Sequence, residues 1–181
     1  LLISLKYLGE AYKSQKLFDK SQKQYDKYLE LANNIYGKDN PLILPALKSL
    51  ISSYSSSGDF QRTESTIFRA LKIAEKLEKN KISNILELKE EASYNYKKHF
   101  YYNKAQEEMI SALKISENYY GKNNFKNLVF LILLTDLKTK QSDFQGAESY
   151  ANRALEIANK NKLSAEYLQV LSHLGNIHSH L

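Results

Sequence analysis

Apolar residues along this chain fall three and four positions apart over long stretches, the spacing that lays one stripe down an α-helix. The pattern also repeats. Ser21, Thr63, Ala105 and Ala147 stand 42 residues apart. Each follows an aromatic by three (Phe18, Phe60, Tyr102, Phe144) and precedes Tyr28, Ala70, Ala112 or Ala154 by seven. The four stretches read FDKSQKQYDKYLELA, FQRTESTIFRALKIA, YNKAQEEMISALKIS and FQGAESYANRALEIA. Upstream of each lies a second amphipathic segment, marked by Leu8-Gly9 with Tyr12, Leu50 with Tyr54, Ala92 with Tyr96, and Leu134 with Lys138. Leu174-Gly175 and His178 open the pattern once more, with the spacing shortened to 40. Nine helices are predicted, near 1–15, 18–36, 41–57, 60–79, 82–99, 102–120, 124–141, 144–161 and 164–180.

Small residues in the repeated slot have a physical reason: where two helices of a hairpin cross closely, a larger side chain holds the backbones apart. The links agree. Ser57-Gly58-Asp59 is a turn signal. Tyr36-Gly37-Lys38-Asp39-Asn40-Pro41 and Tyr120-Gly121-Lys122-Asn123-Asn124-Phe125 lie 84 residues apart, twice the period. Each offers Gly as a helix stop and Asp or Asn as the next cap, and Pro41 sits where an N-terminal proline is tolerated.

The order Leu-Gly, Tyr, small residue, aromatic, Ala resembles the tetratricopeptide repeat. The 42-residue period and the Tyr-Gly-Lys-Asp-Asn-Pro connector resemble its longer, kinesin-light-chain-like variety. The likeness covers the whole chain. Its departures are local: no Trp begins a repeat, Lys138 and His178 replace Tyr, and Ser21 and Thr63 replace Ala. The resemblance implies an all-α fold, an α-solenoid of antiparallel helix pairs wound as a right-handed superhelix, with about four and a half repeats. One continuous domain is expected over 1–181, with repeats near 1–40, 41–81, 82–123 and 124–163 and a partial one at 164–181. The chain is expected to be a fragment of a longer protein, because it opens inside a repeat without Met and closes after an unpaired first helix.

Composition narrows the function. Only two prolines and six glycines occur, too few for a strand-rich fold with many turns. The absence of cysteine excludes a disulfide framework, thiol catalysis and cysteine-ligated zinc, and is compatible with a reducing, cytoplasmic setting. The longest apolar run, Leu128 to Leu134, is far short of the roughly 20 residues that span a bilayer. The net charge of +6 rests almost wholly on scattered lysines, with Arg only at 62, 69 and 153. That distribution reads as solvated surface rather than a nucleic-acid footprint, which favours clustered Arg.

No catalytic constellation is present: no phosphate loop, no Gly-rich dinucleotide turn, no His-Glu-x-x-His. His178 and His180 diverge on a helix and make a poor metal pair. No cofactor is expected. Glu107 and Glu108 are ordinary members of a soluble helix face, and Ser55-Ser56-Ser57 reads as a polar helix end.

In the resembled arrays the first helix of each pair lines a groove that holds extended peptides or partner helices. Counted from the small-residue register, the groove positions here are Lys6, Glu10 and Lys13; Lys48, Ser52 and Ser55; Glu87, Glu90, Glu91, Tyr94 and Lys97; Val129, Ile132, Leu133 and Asp136; and Gln169, His173 and Asn176. Two features stand out. Val129, Ile132 and Leu133 exceed what LVFLILL needs to pack its own hairpin; they either line the groove or are buried by solenoid curvature. Glu87, Glu90 and Glu91 make their part acidic. The co-chaperone branch holds an acidic tail with Lys, Asn and Arg; Lys6 matches, but Glu10 and Ser49 take the Asn places, and Glu87 and Glu91 stand where Lys and Arg are needed. The expected partner is therefore another protein, a peptide or helix with Lys or Arg near an apolar anchor, held by a non-catalytic scaffold or adaptor. The alternative is a regulatory or ligand-sensing segment of a larger enzyme or signalling protein. Uncovered solenoid ends, with Leu171, Leu174 and Ile177 at one of them, also permit self-association.

Overall fold

The structure, a computed structural model, describes residues 1–178, without the side chains of residues 164, 166–168 and 176–178. The expectations placed on Asn176, Ile177, His178 and His180 lie outside what is described. Among the described residues nine α-helices follow in order: α1 (Leu2–Ser14), α2 (Phe18–Tyr36), α3 (Leu44–Ser57), α4 (Phe60–Ala74), α5 (Lys81–Lys98), α6 (Tyr102–Tyr120), α7 (Leu128–Lys140), α8 (Phe144–Lys160) and α9 (Ser164–His178). No strand occurs among the described residues. Two single 3₁₀ turns, Pro41–Ile43 and Phe125–Asn127, lead into α3 and α7. The expected helix over 60–79 stops at Ala74. Beyond it Leu77 is the only apolar residue before Lys81, so the chain has no face to bury. It closes instead with short i→i−3 bonds, Lys76 N–H to Ile73 O at 3.0 Å and Leu77 N–H to Ala74 O at 3.1 Å.

The turns inside the hairpins repeat with the sequence. Lys16, Gly58, Phe100 and Ser142 all have positive φ, between 59° and 78°, and they follow one another at the 42-residue period. At each, the next residue's N–H reaches five residues back, as Asp143 N–H does to Lys138 O at 2.9 Å, while Ser142 N–H bonds Thr139 O at 3.0 Å. This is the Schellman closure, which favours glycine at the left-handed position. Gly58 alone meets that preference. Ser142→Gly is expected to stabilise the protein by about 0.5–1 kcal/mol, the relieved left-handed strain less the added entropy of the unfolded chain. A thermal melt checks it.

The helices group into two compact units, Leu1–Glu91 and Ala92–Leu181. In the first, α1 packs on α2 and α2 on α3, which pairs with α4, around Tyr25, Ile43, Leu47, Ile51 and Ile73. In the second, α6 packs on α7, α7 on α8, and α8 on α9, around Met109, Phe130, Leu131, Leu134 and Ile157. Equivalent crossings are solved differently. Gly9 lies against the Tyr25 ring, where a Cβ would overlap the ring carbons. Eighty-four residues on, Ser93 and Met109 hold those places, the larger helix partner being the more pliant one. The polar link also reverses: Ser21 Oγ donates to Gly9 O at 2.9 Å, and Ser93 Oγ donates to Ala105 O at 3.0 Å.

Both long connectors are fastened alike. Gly37 and Gly121 turn the chain with φ of 94° and 93°. Asn40 and Asn124 then accept the N–H groups of Leu42 and Lys126 at 2.9 and 3.0 Å. From the following second helix, Arg69 reaches Asn33 Oδ1 and Lys38 O, while Arg153 reaches Glu117 and Lys122 O. Two of the three arginines thus serve as clamps, a task suited to a planar multi-donor fork.

Candidate functional site

Three polar rungs cross between consecutive first helices with one sequence offset. Lys13 Nζ donates to Ser52 Oγ at 2.8 Å, Lys48 pairs with Glu87, and Lys97 Nζ donates to Asp136 Oδ2 at 3.2 Å, each pair 39 residues apart. The offset is the 42-residue period less three residues, about one turn, so each rung joins a side chain to the helix of the next repeat one turn nearer its start. This links the expected positions Lys13 with Ser52, Lys48 with Glu87 and Lys97 with Asp136 across neighbouring first helices.

In the first unit that surface holds a cleft of about 460 Å³ lined by Lys6, Glu10, Lys13, Lys48 and Ser52, and closed on one side by Asn80 and Asn84. Lys6 and Glu10 form a long ion pair of 3.8 Å. Ser55, expected beside Ser52, is buried instead. The acidic stretch on α5 differs from expectation as well. Glu87 is engaged by Lys48. Burial raises the Glu91 carboxyl above its ordinary range, helped by the Glu87 charge and opposed by Lys13 and Lys48. Burial also raises Glu90, with the charges of Glu87 and Glu91 adding to it. The wall is thus interleaved with lysines rather than uniformly acidic, because the rung offset carries α3's lysine onto α5's glutamates.

In the second unit Val129, Ile132 and Leu133 line an open, mainly apolar cleft of about 320 Å³ with Phe125, Leu163 and Gln169. Val129 is 41% exposed. The counterparts of these three residues are Pro45, Lys48 and Ser49 on α3, and Ile3, Lys6 and Tyr7 on α1. Where the earlier helices set a polar rung, α7 faces α9 with aliphatic groups, and the described residues make no rung there. Asp136, one turn on, pairs with Lys97 and does not line this cleft. Tyr94 is exposed and His173 half-buried, and neither lines these two clefts. Sequence reading missed Phe125 and Leu163, which look like connector residues, and the exposed Ile3 and Tyr7. The repeat carried the signal for the latter two, since they precede Val129 and Leu133 by three periods.

No family model matches the sequence, and no curated protein shows significant similarity to it. Solved structures do match. BtubC (BKLC) from P. vanneervenii aligns over 91% of this chain and 67% of its own, with 23% identity and a TM-score of 0.73. The apo form of RapI aligns over 97% of this chain with 16% identity and a TM-score of 0.83, and this chain spans only 47% of RapI. Nearly identical TPR-like repeats, described as a Podosopora anserina kinesin light chain, align over 99% of this chain and 86% of their own, with 15% identity and a TM-score of 0.78. The fold is that of tetratricopeptide-like repeats.

One departure from the tetratricopeptide pattern has its reason in the structure. The first-helix tyrosines Tyr12, Tyr54 and Tyr96 each lie under a cation from the paired helix: Lys20 at 5.8 Å, Arg62 at 4.9 Å and Lys104 at 5.3 Å from the ring centre. In the fourth tetratricopeptide-like pair Lys138 replaces Tyr and donates to Asp143 Oδ2 at 2.8 Å, while Asp143 Oδ1 caps α8 through Gly146 N–H at 2.9 Å. The Lys138 ammonium, then that N–H, hold the Asp143 carboxyl below its ordinary range. A carboxyl lowered on folding stabilises above its unfolded pKa, and the gain disappears as pH falls through the folded value. Asp143→Ala is therefore expected to cost about 1 kcal/mol at pH 7, the usual loss of a cap, and almost nothing once the carboxyl is protonated in acid. Urea unfolding at both pH values checks it. Among the described residues no group of three or more side chains is placed to hold a metal, and no helix is long and apolar enough to cross a membrane.

Proposed function

We propose that this protein is a non-catalytic interaction scaffold that holds a peptide or helix of another protein against its first-helix surface. The anchor of that partner is apolar and enters the cleft formed by Val129, Ile132 and Leu133. The observation that carries this reading is a substitution within a repeat. The positions of Ile132 and Val129 hold the rung partners Lys48 on α3 and Glu87 on α5; on α7 they are aliphatic and partly open to solvent, a costly arrangement unless something covers them. A volume of about 320 Å³ takes one large aromatic side chain or two aliphatic ones. Within the first unit taken by itself, a basic group of a partner is left Glu90 and Glu91, since Lys48 already engages Glu87. The carboxyls of Glu90 and Glu91, raised by burial and by the charge of Glu87, gain from a partner's Lys or Arg.

Selection from a random peptide library on the purified protein tests this, with an Ile132→Glu, Leu133→Glu variant as counter-selection. Enrichment of peptides sharing an apolar residue, absent on the variant, supports the reading; equal enrichment on both refutes it. A second reading, a sensing or regulatory segment of a larger signalling protein or enzyme, is favoured by the fact that the chain spans about half of RapI. In that case the cleft ligand controls a neighbouring domain.

A further inference from the structure

One of the three rungs differs from the others in charge. Lys48 and Lys97 end on the carboxylates of Glu87 and Asp136, whereas Lys13 donates to the neutral Ser52 Oγ at 2.8 Å. The positive charge of Lys13 is therefore unmatched within its rung, and that rung borders the cleft of about 460 Å³ in the first unit. Lys6 joins it there from α1, Lys48 from α3 and Lys79 from the connector between α4 and α5. Among the described residues Glu10 is the one carboxylate in the lining, and its pair with Lys6 is long, at 3.8 Å. Glu87 and Glu91 act on Lys48 and Lys13 from outside the lining. These lysines are not a property of the repeat. Eighty-four residues on, the places of Lys48, Ser49 and Lys79 are held by Ile132, Leu133 and Leu163 of the apolar cleft.

We propose that the cleft of the first unit binds a small organic phosphate monoester, at a site independent of the apolar cleft of the second unit. Ammonium groups that converge from three elements with one lining carboxylate draw an anion, and a doubly charged one is attracted by several of them at once. Lysine suits phosphate, because it is a compact point charge with three freely turning donors. A planar carboxylate is held better by the arginine fork. The cleft is closed on one side by Asn80 and Asn84, so it takes a compact molecule rather than a passing chain. Pro41, Pro45 and Leu77 give it an apolar wall against which a ring or short carbon body packs.

Phenyl phosphate is the probe, titrated at fixed ionic strength and at a pH about two units above the second phosphate pKa. Benzoate, the same ring with a single charge, is the comparator. Backbone-amide NMR is expected to show Lys13, Ser52 and Lys79 shifting together, with phenyl phosphate bound about 10-fold tighter than benzoate. Ser52→Asp gives Lys13 the carboxylate that the other rungs already have. It is expected to weaken phenyl phosphate about 10-fold without lowering the melting temperature by more than about 2 °C. Lys79→Gln is expected to weaken it about threefold or more, and Lys23→Gln, exposed on α2 outside the cleft, to leave it unchanged. No binding of phenyl phosphate, or equal affinity for both probes, would overturn the proposal. So would full affinity in both Ser52→Asp and Lys79→Gln, or a loss in Lys23→Gln as large as in Lys79→Gln, which would mark a response to net charge alone.

Discussion

Asn127→Ile made alone is expected to lower stability by about 2 kcal/mol, and the same change combined with Ser116→Ala is expected to recover most of that loss. Asn127 is fully buried. Its side chain accepts from Ser116 Oγ at 2.6 Å and donates to Gly121 O at 2.8 Å and Lys122 O at 3.0 Å. The first unit builds the equivalent corner without polar groups, from Ile43 and Ala32. Isoleucine at 127 therefore fits the fold but strands a buried hydroxyl on α6. The two carbonyls are less affected: Lys122 O keeps Arg153, and Gly121 O keeps the Asn124 N–H at 3.2 Å. Removing both partners leaves the apolar corner that already works 84 residues earlier. Urea unfolding distinguishes the cases; a double variant no more stable than the single one would show that the corner depends on more than this pair.

Ile132→Glu with Leu133→Glu is expected to weaken binding of a cleft ligand by about 100-fold or more while changing the melting temperature by only about 2–3 °C. The asymmetry follows from position. In the free protein both side chains border open solvent, so the new carboxylates stay hydrated. In the complex they would be desolvated against an apolar anchor with no partner. Lys23→Glu, at an exposed α2 position that lines neither cleft, is the matching control and is expected to leave that affinity within about threefold.

Much of the architecture was legible because each repeat states it again. The nine helices of the described residues, the small-residue crossings and both Asn-capped connectors follow from periodicity and turn chemistry. The cleft-lining residues Lys6, Glu10, Lys13, Lys48, Ser52, Val129, Ile132 and Leu133 lie in the same register, whereas Ser55, counted with them, is buried. What escaped was set by contacts between repeats. Nothing in Glu87, Glu90 and Glu91 announces Lys48, because the rung joins residues 39 apart on different helices. Likewise the roles of Arg69 and Arg153 are invisible in composition, where two scattered arginines look like surface charge. Phe125 reads as a connector residue until the 3₁₀ turn rotates it beside Val129. The left-handed turns at Phe100 and Ser142 also defy local preference, since the hairpin geometry overrides the missing glycine.

The most direct test of a binding cleft on the first-helix surface is methyl NMR during titration with a peptide selected on the purified protein. The expected result is that the methyl signals of Val129, Ile132, Leu133 and Leu163 shift first and furthest, saturating together. Shifts confined to other methyl groups, such as Ile35 and Leu42 beside the first connector, with these four unmoved, would contradict it.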